Sequence, residues 1–331
     1  MKKEPVAITN GDCYIPYEAR SGAESTVYFT RELTADGLLK AFAHVAPHLT
    51  GKVGVKLHTG EPKGPNLIPR DWVKSLMAQL SGAAIIETNS YYPGDRGTTE
   101  QHRKTLAING WDFCKVDILD EDGGEDYPIS GGKWFDAMHL GKNIKDYDSI
   151  LVLTHFKGHT NGGFGGSNKN IGIGCAEAQT GKRAIHTVPG QEMWSISKEE
   201  FMERMTESSK AVIDHFGTRI VYINVLRNMS VSCDCEGIYA EPVVTPNVGI
   251  CASTDLLSVD QASVDMIYAM EESDRHALVE RMESRRGLRQ LSYMKELGMG
   301  NDRYRLIDTD NNDAQITADD AVADVRPFVL D

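Results

Sequence analysis

Short apolar segments alternate with amphipathic helical segments along most of the chain, and this alternation constrains the fold more than any other feature. Thr34 can cap a helix whose apolar residues recur every three or four positions, and a short apolar strand follows at 52–58. Further strands are predicted at 83–88, 115–119, 149–156, 219–226, 248–252 and 304–307. Strands that alternate with helices favour an α/β fold, with one or two mostly parallel sheets flanked by helices.

The length of 331 residues predicts two lobes, with one large domain as the alternative. A stretch rich in glycine, aspartate and proline at 121–141 marks the boundary between them. We therefore expect an N-terminal α/β lobe at 1–145, a C-terminal α/β lobe at 146–310 and an acidic tail at 311–331.

Charge and hydropathy exclude several classes of partner. The net charge of −13 opposes attraction to nucleic acid and to anionic lipid surfaces. No apolar run reaches the ~18 residues of a membrane span, and no apolar signal segment follows Met1-Lys2-Lys3. Six scattered cysteines predict reduced thiols rather than a disulfide framework. We expect a cytoplasmic protein without nucleic-acid or membrane partners, and the oligomeric state stays open, a homo-oligomer included.

Two lysine and histidine pairs stand where predicted strands end. Lys56 and His58 lie two residues apart at the end of one predicted strand and so point to the same face, and His155 and Lys157 repeat this arrangement at the end of another. Ligands of open α/β sheets bind beyond the carboxyl ends of the strands. A lysine there can bind an anionic group while a histidine transfers a proton or holds a metal. The pairs therefore predict catalytic residues acting on a small anion, and polar residues that merely cap loops are the alternative.

A glycine-rich loop at 158–174 follows the second pair, and Lys169 within it is a third candidate catalytic lysine. Successive backbone amides in such a loop can form an anion-binding nest. The loop matches neither the Walker motif nor the dinucleotide fingerprint, so ATP and NAD are disfavoured. A flexible surface loop is the alternative. The predicted ligand-binding residues are Glu61, Gly162, Gly163, Gly165, Gly166 and Asn168.

A Cys-Asp-Cys sequence offers candidate metal ligands. Cys233, Asp234 and Cys235 follow the predicted strand at 219–226, and His159 can complete a set for one divalent metal. The spacing is not C-x-x-C and no second pair follows, so the sequence alone favours buried, inert thiols over ligands.

These motifs together resemble the family called domain of unknown function 362, often labelled an iron-sulfur-centre protein family. The resemblance rests on the stretches 56–61, 95–97, 155–170, 172–175, 181–186, 233–235, 249–255 and 260–262. Many members are similar in having a ferredoxin-like C-x-x-C-x-x-C insert after the position that matches His186. This chain has no cysteine between Cys175 and Cys233, so we expect no iron-sulfur cluster in it.

The resemblance implies that the motif residues share one site, but it brings no settled activity. The residues themselves predict a metal-assisted enzyme that acts on a small anion in a cleft lined by lysines and histidines. The alternative is a non-catalytic redox-accessory protein that holds a metal or cofactor.

Overall fold

The computed structural model describes residues 13–188, 190–192 and 195–328. The segment Met1-Lys2-Lys3, used above to predict localisation, and the last three residues of the predicted tail lie outside these ranges. Within the described residues, no helix combines the length and the apolar character needed to cross a membrane.

The chain forms thirteen strands and ten α-helices within the described residues. The strands are β1 (Glu24–Thr30), β2 (Val53–Lys56), β3 (Ala84–Glu87), β4 (Val116–Ile118), β5 (Gly124–Pro128), β6 (Ala137–Gly141), β7 (Ser149–His155), β8 (Lys157–His159), β9 (Gly163–Gly165), β10 (Ile220–Leu226), β11 (Gly249–Ser253), β12 (Arg303–Asp308) and β13 (Ala314–Ile316). The helices are α1 (Ala35–Val45), α2 (Arg70–Met77), α3 (Thr99–Ile108), α4 (Ser167–Gly174), α5 (Arg183–His186), α6 (Lys198–Phe216), α7 (Leu256–Ala269), α8 (Glu272–Ser284), α9 (Arg289–Glu296) and α10 (Ala318–Val322).

The predicted α/β fold is confirmed as a nine-stranded mixed sheet with the order β13-β12-β1-β11-β10-β7-β2-β3-β4. The strands from β10 to β4 run parallel to one another, and β11 and β13 are antiparallel to their neighbours. Both faces are covered, because one apolar cluster includes residues of α1 and α2 and the other includes residues of α6 and α7. Every residue of β7 is buried, as its continuous apolar sequence predicts for a central parallel strand.

The two predicted lobes share this one sheet. β2 belongs to the predicted N-terminal lobe and β7 to the C-terminal lobe, yet they pair directly from Val53 and Ser149 onward. The predicted acidic tail also contributes structure: β13 pairs with β12, and Ala321 and Val322 of α10 are buried. Its few apolar residues suffice to fix it because they pack against the core.

The charged segment 274–297 is divided between two helices, α8 and α9. Arg286 adopts a positive φ of 56° between them, and Gly287 lies against the backbone of Gly163. The predicted glycine loop likewise has regular structure, since β8 and β9 form a hairpin and α4 follows. Close backbone approach explains glycine at both 163 and 287, where a Cβ atom would lie within 3.0 Å of the facing backbone.

Candidate functional site

A cavity of about 430 Å³ lies at the carboxyl ends of the parallel strands β2, β3 and β7. Lys56, Glu87 and His155, the last residues of these three strands, all line it. This is the edge where ligands bind in open α/β sheets. The structure brings ten of the predicted site residues into its wall: Lys56, His58, His155, Lys157, His159, Gly165, Gly166, Lys169, Cys233 and Cys235.

Glu87 is the buried carboxylate around which the first lysine and histidine pair is arranged. Its Oε1 accepts hydrogen bonds from the backbone N and the hydroxyl of Thr59, at 2.6 and 3.2 Å, and lies 3.4 Å from Nδ1 of His58. Arg96 lies 3.4 Å from its Oε2, and Lys56 lies 4.0 Å from its Oε1. Burial acts to raise the pKa of Glu87, but Lys56, His58 and Arg96 together hold it well below its usual range.

Lys56 is fully buried beside this carboxylate. Its Nζ donates to the backbone oxygen of Leu57 at 2.9 Å, and burial lowers its pKa although Glu87 acts in the opposite direction. Gly174 at the end of α4 makes room for it, because a Cβ atom there would lie 2.1 Å from Cε of Lys56. The lysine therefore depends on a glycine that is 118 residues away in the sequence.

The second pair is held by Asp234. His155 Nδ1 lies 2.9 Å and Lys157 Nζ 2.8 Å from Oδ2 of this carboxylate, and the three side chains are at most 5% exposed. The Nε2 atom of His155 lies 2.6 Å from the backbone oxygen of Arg227. Both ring nitrogens therefore contact oxygen atoms of the protein, which hold the imidazole in a fixed orientation. This arrangement favours a positioning role for His155 rather than the predicted proton transfer.

Asp234 was predicted as a metal ligand, but its oxygens face the side chains of His155 and Lys157. Burial acts to raise its pKa, while His155 and Lys157 lower it far below the usual value. An ionised carboxylate paired on both sides has little capacity left for a metal. These contacts instead favour a role for Asp234 in holding the two flanking cysteines in position.

A short 3₁₀ turn at Asp234–Tyr239 positions the thiols. Glu236 accepts from the backbone N of Cys233 at 3.2 Å, and the sulfur of Cys233 accepts from the backbone N of Cys235 at 3.3 Å. The turn also has a capping box, in which the sulfur of Cys233 accepts from the backbone N of Glu236 while the Glu236 side chain accepts from that of Cys233, with cysteine in the place that serine or threonine usually occupies. The backbone N of Glu61 also donates to the oxygen of Asp234 at 3.1 Å, which ties the turn to the segment after β2.

The metal-ligand geometry differs from the predicted set. One atom each of His58, Cys233 and Cys235 lie within 4.8 Å of one another, so the histidine of this group is His58, which the sequence assigned to catalysis. In tetrahedral zinc sites with Zn–S bonds of about 2.3 Å, the two sulfurs are about 3.8 Å apart. The ligand atoms of this group would therefore need to move closer together by at most about 1 Å to bind a zinc ion. Nδ1 of His58 lies 3.4 Å from Glu87, the kind of carboxylate that metal-bound histidines usually have as a partner, and 3.3 Å from the backbone N of Gly60.

His159, the predicted fourth ligand, contacts the thiols in a different way. Its Nδ1 accepts from the backbone N atoms of Asn161 and Gly162, at 3.1 and 2.8 Å, so the proton of the neutral ring is on Nε2. Nε2 lies 3.8 Å from the sulfur of Cys235 and can donate to it. Burial lowers the pKa of His159, which keeps the ring neutral. The geometry thus favours a hydrogen-bond donor to sulfur over a metal ligand.

The two thiols differ in how readily they ionise. Burial acts to raise the pKa of Cys233, but the hydrogen bond from Cys235, with His159 and Lys169 nearby, lowers it well below its usual range. The same hydrogen bond, together with burial, raises the pKa of Cys235. These shifts favour the thiolate form of Cys233, which is the form that binds metals.

The predicted anion nest of the glycine loop is largely occupied by internal partners. The amides of Asn161 and Gly162 bind His159, and those of Ser167 and Asn168 donate to the buried carboxylate of Asp260 at 2.7 and 2.9 Å. The glycines instead allow close packing: a Cβ atom on Gly166 would lie 2.5 Å from Asp260, and Gly163 contacts Gly287. The glycine content of the loop agrees with close packing of its backbone, but the sequence does not show which residues pack against it.

Two more predicted ligand-binding residues have internal partners. Glu61 accepts from Nε of Arg96 at 2.8 Å and from the hydroxyl of Tyr92 at 3.2 Å. The side-chain amide of Asn168 donates to Thr206 and Gln290, at 3.1 and 3.2 Å. Glu61, Gly162, Gly163 and Asn168 do not line the cavity, so the structure gives them supporting positions.

Lys169 remains available to a ligand. Among the described residues it has no hydrogen-bond or ion-pair partner, and its aliphatic chain lies against Gly162 and Gly165. Five cationic side chains and two carboxylates line the cavity, in a protein whose net charge is −13. The charged lysine, arginine and glutamate side chains of the lining therefore sum to a positive charge, and a concave site of positive potential concentrates anions.

Sequence reasoning missed several lining residues. Glu87 ends a predicted strand, so the rule that selected Lys56 and His155 could have found it. Lys182 is fully buried and donates to the hydroxyl of Thr88 at 2.8 Å and to the backbone oxygen of Asn89. Burial lowers its pKa to about 8, against the opposing effect of Asp120. Nothing in its local sequence signals this position.

Comparison with known proteins agrees with the motif resemblance. Residues 53–265 match the family described as "Domain of unknown function (DUF362)". The chain belongs to this family. The DUF362 region runs from the start of β2 into α7, and it includes His58, Lys169 and both cysteines of the metal-ligand group. No curated protein matches the chain.

Solved structures include proteins of similar architecture to this DUF362 chain. One is the lactate racemase apoprotein from Thermoanaerobacterium thermosaccharolyticum, with 9% identity, a TM-score of 0.40, and coverage of 89% of this chain and 85% of that one. Another is a structural-genomics protein from Thermotoga maritima, with 11% identity and a TM-score of 0.40, covering 76% of this chain and 59% of that one. At these values neither likeness bears on activity.

Proposed function

We propose that this chain is a metal-assisted enzyme that acts on a small anion. One observation supports this most: a histidine and two cysteines in ligand geometry line the same cavity as Lys169, a cation without a partner among the described residues. A bound metal and a bound anion would therefore be neighbours. The positive lining of the cavity adds a favourable field for the anion.

The donor set fits zinc or a similarly soft divalent metal. Two cysteines and one histidine are a combination found in catalytic zinc sites, where the fourth position is left for water or substrate. His58, Cys233 and Cys235 would hold the ion, with Glu87 and His159 supporting His58 and Cys235 from behind. Such an ion polarises a substrate oxygen and lowers the pKa of bound water.

The protein's own groups supply anion binding and proton transfer. Lys169 would neutralise the substrate, while Lys157 is engaged with Asp234 and Lys56 faces Glu87. We assign proton transfer to Lys182, since burial lowers its pKa to about 8 and general acids and bases work best near the ambient pH. His155 would fix Asp234 and through it the turn that bears the cysteines.

The test is turnover of a panel of small carboxylates and phosphates by the zinc-loaded full chain, followed by NMR in D2O so that proton exchange is also detected. We expect at least one class to be converted or exchanged, with the rate lost in Cys235→Ser and in Lys182→Met. Cys114→Ser is the matched control, because Cys114 is also partly buried but does not line the cavity. Zinc binding without turnover of any compound would contradict an enzymatic function.

A non-catalytic metal-binding or redox-accessory protein is the second candidate, and one observation favours it. Ile238 and Tyr239, three and four residues after Cys235, are 63% and 84% exposed. Large apolar side chains beside a metal site suit docking of a protein that exchanges metal or electrons. Under this function zinc binds at the same residues, but no member of the panel is altered.

A further inference from the structure

We propose that the substrate is a carboxylate with an apolar tail, and that Ile173, Phe201 and Tyr91 form the subsite for that tail. This proposal rests on the proposed function and names the substrate class of the same cavity. All three side chains line the cavity together with Lys169 and the metal-ligand group. On this proposal, the end of the cavity near these three side chains is its apolar end, and the end near Lys169 and the metal-ligand group is its charged end.

Helix α4 sets the distance between the two ends. Lys169 and Ile173 are four residues apart on it, and both line the cavity. Residues at this spacing lie on one face of a helix, with Cβ atoms about 5–6 Å apart. A head group bound by Lys169 would therefore place carbon atoms two or three bonds away against Ile173.

Aromatic rings enclose the apolar end. The ring of His186 lies 5.0 Å from that of Phe201 and 6.1 Å from that of Tyr91, measured between centroids. Burial lowers the pKa of His186 to about 3, so this ring is neutral and adds no charge to the wall. The surface that a ligand tail would meet is thus apolar and aromatic, which favours hydrocarbon over a second charged group.

The charges favour a head group with one negative charge. Lys56 and Arg96 face Glu87, Lys157 pairs with Asp234, and Lys182 donates to Thr88 and Asn89. Lys169 is the one cation of the lining without such a partner among the described residues. A carboxylate matches a single lysine, whereas a phosphate monoester brings nearly twice the charge.

The experiment measures dissociation constants by NMR titration of the full chain with acetate, butyrate, hexanoate, phenylacetate and inorganic phosphate, with and without zinc. Each methylene buried in the tail subsite should tighten binding about fourfold, so hexanoate should bind about 15-fold more tightly than butyrate. Ile173→Thr should flatten this gradient and leave acetate unchanged. Lys169→Gln should weaken all the carboxylates.

The matched control is Ile108→Thr, the same substitution at a position that is 55% exposed on α3 and outside the cavity, and it should keep the gradient. Equal affinity for acetate and hexanoate would overturn the tail subsite, and so would an affinity gradient that Ile173→Thr does not change. In either case, acetate binding that depends on Lys169 would still support the anion site. Phosphate binding more tightly than hexanoate would overturn the carboxylate class. If no anion binds the wild type with or without zinc, the proposed function fails as well.

Discussion

Replacing Asp234 with asparagine tests the electrostatic basis of the site. Asp234→Asn keeps the shape of the side chain but removes the charge that faces His155 at 2.9 Å and Lys157 at 2.8 Å. All three side chains are at most 5% exposed, so water cannot solvate the cations that remain. Breaking a buried ion pair in this way costs about 3–5 kcal/mol of the free energy of unfolding.

The loss can be measured by urea unfolding followed by circular dichroism. With a slope of about 3 kcal/mol per molar urea, a loss of about 3–5 kcal/mol moves the midpoint down by about 1–1.7 M. We also expect weaker zinc binding, because Asp234 lies between the two cysteines of the metal-ligand group.

The control is Asp265→Asn, at an equally buried carboxylate that binds Arg20 at 2.6 Å and lies outside the site cavity. It should lose similar stability while its affinity for zinc stays at the wild-type value. An unfolding free energy for Asp234→Asn within about 1 kcal/mol of the wild type would refute the described charge arrangement.

Two further predictions concern Gly174 and Asp260. Gly174→Ala places a methyl group 2.1 Å from Cε of Lys56 and should cost about 1–3 kcal/mol of unfolding free energy in urea titrations. The control Gly64→Ala meets only ordinary contacts of 3.4 Å or more and should cost much less, and equal losses would contradict the steric argument. Burial raises the pKa of Asp260 from 3.8 to about 6. As the pH rises from about 4 to about 6, the unfolded chain releases this proton while the folded protein retains it, so the unfolding free energy falls by about 3 kcal/mol and stays lower above pH 6. The side chain of Asp260→Asn cannot ionise, so the unfolding free energy of this variant relative to the wild type should increase by about 3 kcal/mol between pH 4 and pH 6. If the difference in unfolding free energy between the two proteins does not vary with pH, the carboxyl group is not desolvated.

The strand-end residues could be predicted because the geometry of parallel sheets is general. The carboxyl ends of β2 and β7 meet at one edge whatever the side chains are, so Lys56 and His155 fall near each other. Glu87 obeys the same rule on β3, and a stricter application would have included it.

The roles of individual side chains could not be predicted, because they depend on contacts between distant parts of the chain. Asp234 between two cysteines has the sequence context of a ligand, yet its partner His155 is 79 residues away. The spacing of residues in the sequence also does not show which histidine, His58 or His159, has a ring nitrogen available to bind a metal beside the two thiols. That choice depends on the backbone amides of Asn161 and Gly162, which occupy Nδ1 of His159.

The glycine loop shows the same limit for the fold. Its composition predicted a nest of backbone amides for an anion, whereas the structure shows close internal packing of Gly163 against Gly287 and of Gly174 against Lys56. The sequence does not identify these partners, since Gly287 and Lys56 both lie more than 100 residues from the glycines that they contact. Compact packing of distant elements, rather than local propensity, decided both the break before α9 and the position of Lys56.

The most direct test of the central claim is the zinc stoichiometry of the full chain, measured by equilibrium dialysis and elemental analysis. We predict one zinc ion per chain in the wild type and in the control Cys114→Ser, and affinity reduced by more than about 100-fold in Cys235→Ser and His58→Ala. Wild-type protein that holds no more zinc than Cys235→Ser would contradict the claim that these residues form a metal site.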